Sequence, residues 1–186
     1  MKKNAFALLA LCLLVLPILA QTPAEAPKDR GEATLKLGDG KVSVDYGRPA
    51  VAGRDITKMI EPGTEWRMGS NASTTLSSDI DLKFGEKTVP KGKYVLKAKL
   101  IEAGKWHLMI YKEKELIAEV PLTLGKNSQP VEMVTIKLEK AEAPMELEKN
   151  PKNSQKLTLK GEKAGNGGKF ILEWGTLNLS AIFQKA

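Results

Sequence analysis

Hydrophobic and polar residues alternate along most of the chain from residue 32 onward. In DIDLKF, residues 79–84, the apolar Ile80, Leu82 and Phe84 would face one side and the charged residues the other. The same alternation returns in KYVLKAKL, KWHLMIY, VEMVTIKLE and KLTLK. A period of two is that of a β-strand with one buried face. Each of these segments therefore predicts a strand that contributes one face to a core.

Turn residues separate the predicted strands. EATLKL and KVSVDY flank GDG, and glycine and aspartate tolerate the positive φ of a tight turn, so residues 32–46 predict a hairpin. KFILEW and TLNLSAIF lie on either side of Gly175 and predict a last hairpin. The polar stretches GKNSQP and NPKNSQ indicate loops. The best helical candidate is one turn or two at residues 54–60, before Pro62.

About nine or ten short strands separated by glycine, proline and asparagine turns indicate an all-β fold. The expected architecture is an antiparallel β-sandwich or flattened barrel, with at most one or two short helical turns. Residues 32–186 have the length of one domain and are expected to form a single β-sandwich domain.

The first 20 residues, MKKNAFALLALCLLVLPILA, have the pattern of a secretory signal peptide. Two lysines precede an apolar run that is shorter than the roughly 20 residues needed to span a bilayer. Cleavage after Ala20 is the simplest expectation. Residues 21–31 are rich in proline, alanine and charge and predict a flexible linker. We therefore expect a secreted or periplasmic protein with no integral membrane segment after signal cleavage.

Charge and residue counts exclude several functional classes. The chain has 29 basic and 22 acidic residues, but its lysines are spread along the predicted strands, as on solvated faces. Export would also separate the protein from nucleic acid, so no nucleic acid partner is expected. The only cysteine, Cys12, lies in the predicted signal peptide, and His107 is the only histidine. The usual cysteine and histidine zinc sites cannot form, and no metal or cofactor is expected.

Two predicted loops contain the most unusual chemistry. YGRPAVAGRDI, residues 46–56, is called the YGR loop below, and EPGTEWRMGSNASTT, residues 61–75, is called the WRM loop. Arginine offers five donors in a fixed fork that suits carboxylates, phosphates and sugar hydroxyls. Tyrosine and tryptophan add flat apolar faces on which a ligand can stack. The candidate ligand-binding residues are Tyr46, Arg48, Arg54, Trp66, Arg67, Asn71 and Thr74.

The same residues could equally have a structural role instead of binding a ligand. Long loops across the end of a sandwich leave carbonyl groups without ladder partners, and arginine and asparagine commonly satisfy them. Trp66 would then plug the end of the sandwich. The sequence leaves open a structural clamp and a binding surface built on that clamp.

An enzyme is the alternative from another functional class. A hydrolase without metal or thiol would use Asp79 or Asp81 with Arg67, the arginine stabilising developing negative charge. Glycoside hydrolysis by two carboxylates needs acids roughly 5 to 9.5 Å apart. This alternative requires Asp79 or Asp81 to lie within about 10 Å of Arg67, which a structure can test.

The two loops also carry a family resemblance. Together with PKGKY they follow the pattern Y-x-R-P, G-R-x-I, W-R-x-G-x-N-x-x-T and P-x-G-x-Y, which resembles the family catalogued as domain of unknown function 2911, a set of exported bacterial proteins. The matching residues are Tyr46, Arg48, Pro49, Gly53, Arg54, Ile56, Trp66, Arg67, Gly69, Asn71, Thr74, Pro90, Gly92 and Tyr94.

The resemblance implies a secreted, mostly β domain, and it implies no established activity. One position departs from the family pattern, because the residue after the asparagine is often glutamate in the family and is Ala72 here. We expect a non-catalytic binding or structural module of the cell envelope. Its expected ligand is a carbohydrate or an anionic envelope component.

Overall fold

The computed structural model describes residues 30–141, 146–148, 158–160 and 167–186, and most of these residues lie in β-strands. The strands are β1 (Arg30–Leu37), β2 (Gly40–Gly47), β3 (Glu65–Trp66), β4 (Thr74–Ser78), β5 (Leu82–Phe84), β6 (Lys87–Val89), β7 (Gly92–Glu102), β8 (Lys105–Lys112), β9 (Glu115–Ala141), β10 (Glu146–Glu148), β11 (Thr158–Lys160) and β12 (Gly167–Lys185). Within the described ranges, the only helical element is the 3₁₀ turn Ile56–Lys58, inside the segment predicted to be helical.

Ten strands form one antiparallel sheet, which confirms the all-β fold class. The strand order is β1-β2-β4-β7-β8-β9-β12-β5-β6, with β3 paired to β7, so the sheet is not closed into a barrel over the described residues. The first part of β9 pairs with β8, and the part from Thr123 onward pairs with β12. The 27-residue strand β9 therefore joins the two halves of the sheet. Across the core, the Tyr46 hydroxyl of β2 reaches the Ile136 carbonyl of β9.

The alternating residues of the predicted strands form the core between the two halves. Their burial is near complete on β7 and β8, whereas on the second part of β9 Val134 and Ile136 are buried and Leu138 is partly buried. A buried aliphatic or aromatic side chain stabilises a fold by about 1.5–3 kcal/mol. The apolar residues of the predicted strand segments that are found buried at alternate positions are Leu82, Phe84, Tyr94, Leu96, Ala98, Leu100, Trp106, Leu108, Ile110, Val134, Ile136, Phe170, Leu172, Trp174, Leu177, Leu179 and Phe183.

The predicted hairpin at Gly175 is wrong, because β12 runs through this glycine as one strand. Gly175 has a φ of +56° and lies at a break in register, since Glu173 pairs with Thr135 but Gly175 pairs with Val131. Such a break is a β-bulge region, where one strand has more residues than its partner. The bulge also changes which alternate residues face the core, and the predicted GKNSQP loop at residues 125–130 is in fact part of β9.

Two other predicted elements differ in length from the observed ones. The first hairpin is confirmed and extends from Arg30 to Gly47, slightly beyond the predicted residues 32–46. β5 is shorter than the predicted segment 79–84, because Asp79 and Asp81 lie in the bend before it.

The predicted signal peptide and the NPKNSQ loop lie outside the described residues. In the described part of the chain, no helix has the length and apolar character required to cross a membrane.

Candidate functional site

The YGR and WRM loops are packed against each other through glycine. A Cβ atom on Gly47 would lie 2.3 Å from the Ser70 carbonyl oxygen and 2.5 Å from its nitrogen. A Cβ atom on Gly69 would lie 3.0 Å from the Gly47 nitrogen. The two backbones therefore approach so closely that no side chain fits between them.

The YGR loop is also bound to the edge of β9. The Val134 amide donates to the Pro49 carbonyl oxygen (3.0 Å), and the Val51 amide donates to the Glu132 carbonyl oxygen (2.7 Å). The Ala52 amide donates to the Glu132 carboxylate at 2.9 Å. The loop thus continues the sheet locally and covers one end of the core.

Two of the predicted ligand-binding residues point into the protein. Tyr46 is buried, and its hydroxyl donates to the Ile136 carbonyl oxygen at 3.2 Å. Thr74 is fully buried, and its Oγ1 donates to the Met68 carbonyl oxygen at 3.2 Å. Both hydroxyl groups satisfy backbone carbonyls, which is the contact expected of a structural clamp.

Arg54 and Arg67 lie at the surface of the two loops. Arg54 donates from Nε to the Val51 carbonyl oxygen (2.9 Å) and from Nη2 to that of Ala50 (2.5 Å). Arg67 donates from Nη1 to the Asn71 carbonyl oxygen at 2.9 Å. Among the described residues neither guanidinium has a carboxylate partner. The exposed Asn71 is thus held through its backbone carbonyl group. Both arginines keep further N–H donors that can bind other groups.

Trp66 stacks on Trp174, a residue of the predicted strand KFILEW that was not among the candidate ligand-binding residues. Their ring centroids are 5.2 Å apart, and the planes are inclined by 14°. Trp66 is half-buried and Trp174 is buried. The Arg54 guanidinium carbon lies 5.8 Å from the centre of the Trp174 ring, within cation–π distance. The stack joins the WRM loop, the YGR loop and β12.

Arg48 is half-buried beside the first hairpin, and its Nε is buried without a hydrogen-bond partner among the described residues. A Cβ atom on Gly31 would lie 3.0 Å from Arg48 Cδ, so the glycine in β1 leaves room for this side chain. The Nε1 atom of Trp174 is also buried without a partner. Buried nitrogens of this kind are rare in folded proteins.

Arg30 also belongs to this region, although it was not among the predicted site residues. Its guanidinium forms an ion pair with Asp45 and donates from Nη2 to the Ser73 carbonyl oxygen (3.2 Å). A longer contact of 3.4 Å joins Nη1 to the Ala72 carbonyl oxygen. Arg30 therefore ties the end of the WRM loop to the first hairpin. A signal was present, since all four arginines lie between residues 30 and 67 and the other basic residues are lysines.

The two loops contain most of the strained backbone. Positive φ values at residues other than glycine occur at Ala52 (48°), Met68 (55°) and Asn71 (59°), and in the described residues the remaining case is Glu113. A left-handed conformation costs about 1–3 kcal/mol for such residues and is concentrated at functional sites. The observed contacts compensate for that cost.

The carboxylates of the hydrolase alternative lie at the opposite end of β4 from the WRM loop. Arg67 is in the loop that leads into Thr74, whereas Asp79 follows Ser78. Five strand residues span about 16 Å. The Asp81 carboxylate already has a hydrogen-bond partner, because its Oδ1 accepts a hydrogen bond from the Lys91 amide at 2.7 Å. This placement does not provide the arginine and carboxylate pair that the alternative requires.

A separate polar cluster lies on the outer face of β3, β7 and β8. Glu65 accepts from Lys97 Nζ (2.8 Å) and from the Tyr111 hydroxyl (2.6 Å). The hydrogen bond from Lys97 lowers the pKa of Glu65, and the bond to Glu65 raises the pKa of Tyr111 to about 12. His107 Nδ1 lies 2.6 Å from Glu119 nearby. These side chains satisfy one another, which is typical of a structural network.

No group of three or more histidine, cysteine, aspartate or glutamate side chains in the described ranges is arranged to hold a metal ion. The structure thus leaves Arg54 and Arg67 exposed and Trp66 half-buried, and it turns Tyr46 and Thr74 inward. The ligand-binding role of all seven candidate residues stays a prediction.

A family model described as a protein of unknown function (DUF2911) matches residues 27–182. Comparison with curated proteins and with solved structures gives no match.

Proposed function

Since the chain belongs to the DUF2911 family of proteins of unknown function, we propose that it is an exported, non-catalytic binding module of the cell envelope. Its ligand is a sugar or an anionic envelope component, bound at the YGR and WRM loops. One observation carries this proposal. The guanidinium groups of Arg54 and Arg67 are exposed and have no carboxylate partner in the described chain. They lie on the two loops that contact the Trp66–Trp174 stack.

Free donors on these arginines support ligand binding. An arginine side chain has five N–H donors. Arg67 makes one hydrogen bond to the backbone and Arg54 makes two. The remaining donors are available to a carboxylate, a phosphate or sugar hydroxyls, and charged contacts of this kind are stronger than neutral ones.

The loops are also rigid enough to present these donors in a fixed arrangement. Gly47 and Ser70 are in backbone contact, Thr74 is hydrogen-bonded to Met68, and Val51 is paired to β9. Holding binding groups before the ligand arrives lowers the entropy cost of association. The clamp and the binding surface are therefore two roles of the same loops.

Export is the part of the proposal that depends on the sequence alone. The predicted signal peptide at residues 1–20 supports it, and so does the resemblance to exported bacterial proteins. The test is expression of the full chain in a bacterial host, followed by fractionation and mass determination of the product. A product that stays in the cytoplasm with its N-terminal residues intact contradicts export.

Ligand binding is tested by calorimetric titration of the purified protein with inorganic phosphate, acetate and glucose. We expect binding of at least one probe, and we expect the double variant Arg54→Ala/Arg67→Ala to bind it at least tenfold more weakly. The matched control, Lys36→Ala/Lys114→Ala, removes two exposed positive charges elsewhere and should bind as the unmodified protein does. The proposal fails if no probe binds or if the arginine variant retains full affinity.

A further inference from the structure

Strand β1 forms one edge of the sheet, and β2 is its only partner strand in the described part of the chain. The strand Arg30–Leu37 is eight residues long, contains no proline and pairs with β2 without a break in register. Sheet edges are usually protected by short strands, proline, bulges or a covering segment, because unpaired amide and carbonyl groups attract another strand. The opposite edge, β6, has such protection, since it is three residues long and is followed by Pro90.

The hairpin register shows which backbone groups of β1 point to this edge. Leu37 and Gly40 flank a two-residue turn, and such a closing pair exchanges both of its hydrogen bonds. Hydrogen-bonded and non-hydrogen-bonded pairs alternate along an antiparallel ladder. The amide and carbonyl groups of Glu32, Thr34 and Lys36 therefore point away from β2, toward the free edge.

The β2 side of the ladder agrees with this assignment. Lys36 lies opposite Lys41, and the Lys41 carbonyl oxygen accepts a hydrogen bond from the Asp79 amide (3.0 Å), on the other side of β2. Both residues of this pair therefore direct their backbone groups away from each other. A surface groove of about 270 Å³ borders the same end of the hairpin. Its lining residues belong to β1, β2 and their turn: Thr34, Leu35, Lys36, Asp39, Gly40 and Lys41.

The charged side chains of β1 face like charges within the chain. Glu32 lies opposite Asp45, and Lys36 lies opposite Lys41. Like charges at directly opposed positions of an antiparallel pair are destabilising. Asp45 is compensated by its ion pair with Arg30, and Glu32 makes only a 3.9 Å contact with Lys41, in which both side chains are more than half exposed. Lys36 has no ion-pair partner among the described residues.

We propose that β1 pairs with β1 of a second copy of the chain, antiparallel and with Thr34 opposite the partner's Thr34. This register places Glu32 opposite the partner's Lys36, and Lys36 opposite the partner's Glu32. All three residues direct their backbone groups to the free edge, so each pair exchanges both hydrogen bonds. The arrangement has twofold symmetry, which is the commonest symmetry of soluble oligomers. It goes beyond the proposed ligand site and does not depend on it.

Self-complementarity selects both the second copy and the register. A shift by two residues in either direction places Glu32 or Lys36 of the partner opposite Thr34, so the two opposite-charge pairs are lost. A shift by one residue turns the exposed face of one strand toward the buried face of the other. In the Thr34-centred register, Ala33 lies beside the partner's Leu35, and both side chains belong to the buried face of their strand. The apolar faces of the two sheets are then continuous.

The direct test is sedimentation velocity of the protein purified after expression of the full chain, from micromolar to millimolar concentration at low salt. We expect a monomer–dimer equilibrium with the dimer dominant at the highest concentration. Amide hydrogen exchange followed by nuclear magnetic resonance then locates the interface. The Glu32, Thr34 and Lys36 amides should exchange roughly tenfold or more slowly in the dimer. The Ala33 and Leu35 amides are bonded to β2 in both states and should change little.

Thr34→Pro tests the backbone pairing. The Thr34 N–H points away from β2, so proline removes no hydrogen bond of the hairpin, and edge strands tolerate proline at such positions. We expect this variant to stay monomeric at every concentration. The matched control is Thr34→Ser, which keeps the N–H and should dimerise as the unmodified protein does.

Exchange of charges tests the register. Glu32→Lys alone and Lys36→Glu alone place like charges opposite each other, and each should weaken dimerisation roughly tenfold at low salt. An equimolar mixture of the two variants has opposite charges at both positions and should associate as strongly as the unmodified protein. Glu86→Lys and Lys114→Glu make the same changes at exposed positions elsewhere and should leave dimerisation unchanged.

Three outcomes overturn the inference. The first is a protein that stays monomeric over the whole concentration range. The second is dimerisation of Thr34→Pro equal to that of Thr34→Ser, since the dimer then uses another surface. The third is a mixture of the charge variants that associates no better than each variant alone, since the register is then wrong. None of these outcomes bears on the proposed ligand site, which the arginine variants test separately.

Discussion

Gly47 and Ser70 are in direct backbone contact, and this contact joins the YGR loop to the WRM loop. A Cβ atom on Gly47 would lie 2.3 Å from the Ser70 carbonyl oxygen, a distance that no side chain can adopt without movement of the backbone. The glycine is therefore required by the approach of the two loops. Its conformation is not left-handed, so space rather than φ is the reason for the glycine.

Gly47→Ala should destabilise the protein because the methyl group displaces the WRM loop. Overpacking costs about 1–3 kcal/mol, and each kcal/mol moves the thermal midpoint of a protein of this size by about 2–4 °C. We expect a fall of about 2–12 °C by differential scanning calorimetry. Gly125→Ala is the control, since the nearest atom to its Cβ would be at 3.5 Å. Equal midpoints for the two variants would contradict the proposed contact.

Asn127 stabilises the bulge region at Gly175. Its side-chain amide is buried and donates to the carbonyl oxygens of Gly175 and Leu177, both at 3.0 Å. Asn127→Ala leaves these acceptors without the amide, and a buried acceptor without a partner costs about 1–3 kcal/mol. We expect a clear loss of stability in urea unfolding. Thr176→Ala, at an exposed position of the same strand, is the control and should change the midpoint little.

The Tyr111 hydroxyl makes part of the stability pH-dependent. Its hydrogen bond to Glu65 raises the pKa of Tyr111 to about 12 in the folded protein, from an ordinary value of 10.0. A raised pKa means that this contribution is fully present below pH 10 and is lost as the pH rises toward 12. The difference in unfolding free energy between the unmodified protein and Tyr111→Phe should shrink over this interval. A constant difference from pH 8 to pH 12 would show that the bond does not form.

Thr74→Val tests the buried hydrogen bond from Thr74 to Met68 within the WRM loop. Valine has nearly the shape of threonine but cannot donate to the Met68 carbonyl oxygen, which Thr74 Oγ1 contacts at 3.2 Å. Because Thr74 is fully buried, the lost hydrogen bond should cost about 1–3 kcal/mol. Thermal unfolding measures this cost, and Thr75→Val is the neighbouring, half-buried control. A Thr74→Val midpoint at or above that of the control would show that the hydroxyl has no structural role.

The alternating pattern predicted most of the fold, because a strand with one buried face has apolar residues at every second position. The buried faces of β7 and β8 were predicted directly from this alternation. Gly175 was misread because a glycine between two alternating segments is compatible with a hairpin turn and with a bulge, and only the partner strand distinguishes them. The polar residues of the second half of β9 likewise do not reveal that their backbone is paired.

The candidate site was predicted in part. The sequence identified the two loops by their concentration of arginine, tryptophan and glycine, but it could not give the direction of each side chain. Tyr46 and Thr74 point inward, whereas Arg54 and Arg67 remain exposed. Trp174 and Arg30 were missed because they are distant in the chain and meet the loops only through tertiary contacts.

The measurement that tests the account most directly is the thermal midpoint of Arg67→Ala. Arg67 is exposed and makes a single hydrogen bond to the backbone of its own loop, so its removal should cost less than about 1 kcal/mol. The account predicts a midpoint within about 4 °C of the unmodified protein, with ligand binding as the property that is lost. A fall of about 10 °C would correspond to several kcal/mol. It would show that Arg67 is a structural clamp and contradict its assignment to the binding surface.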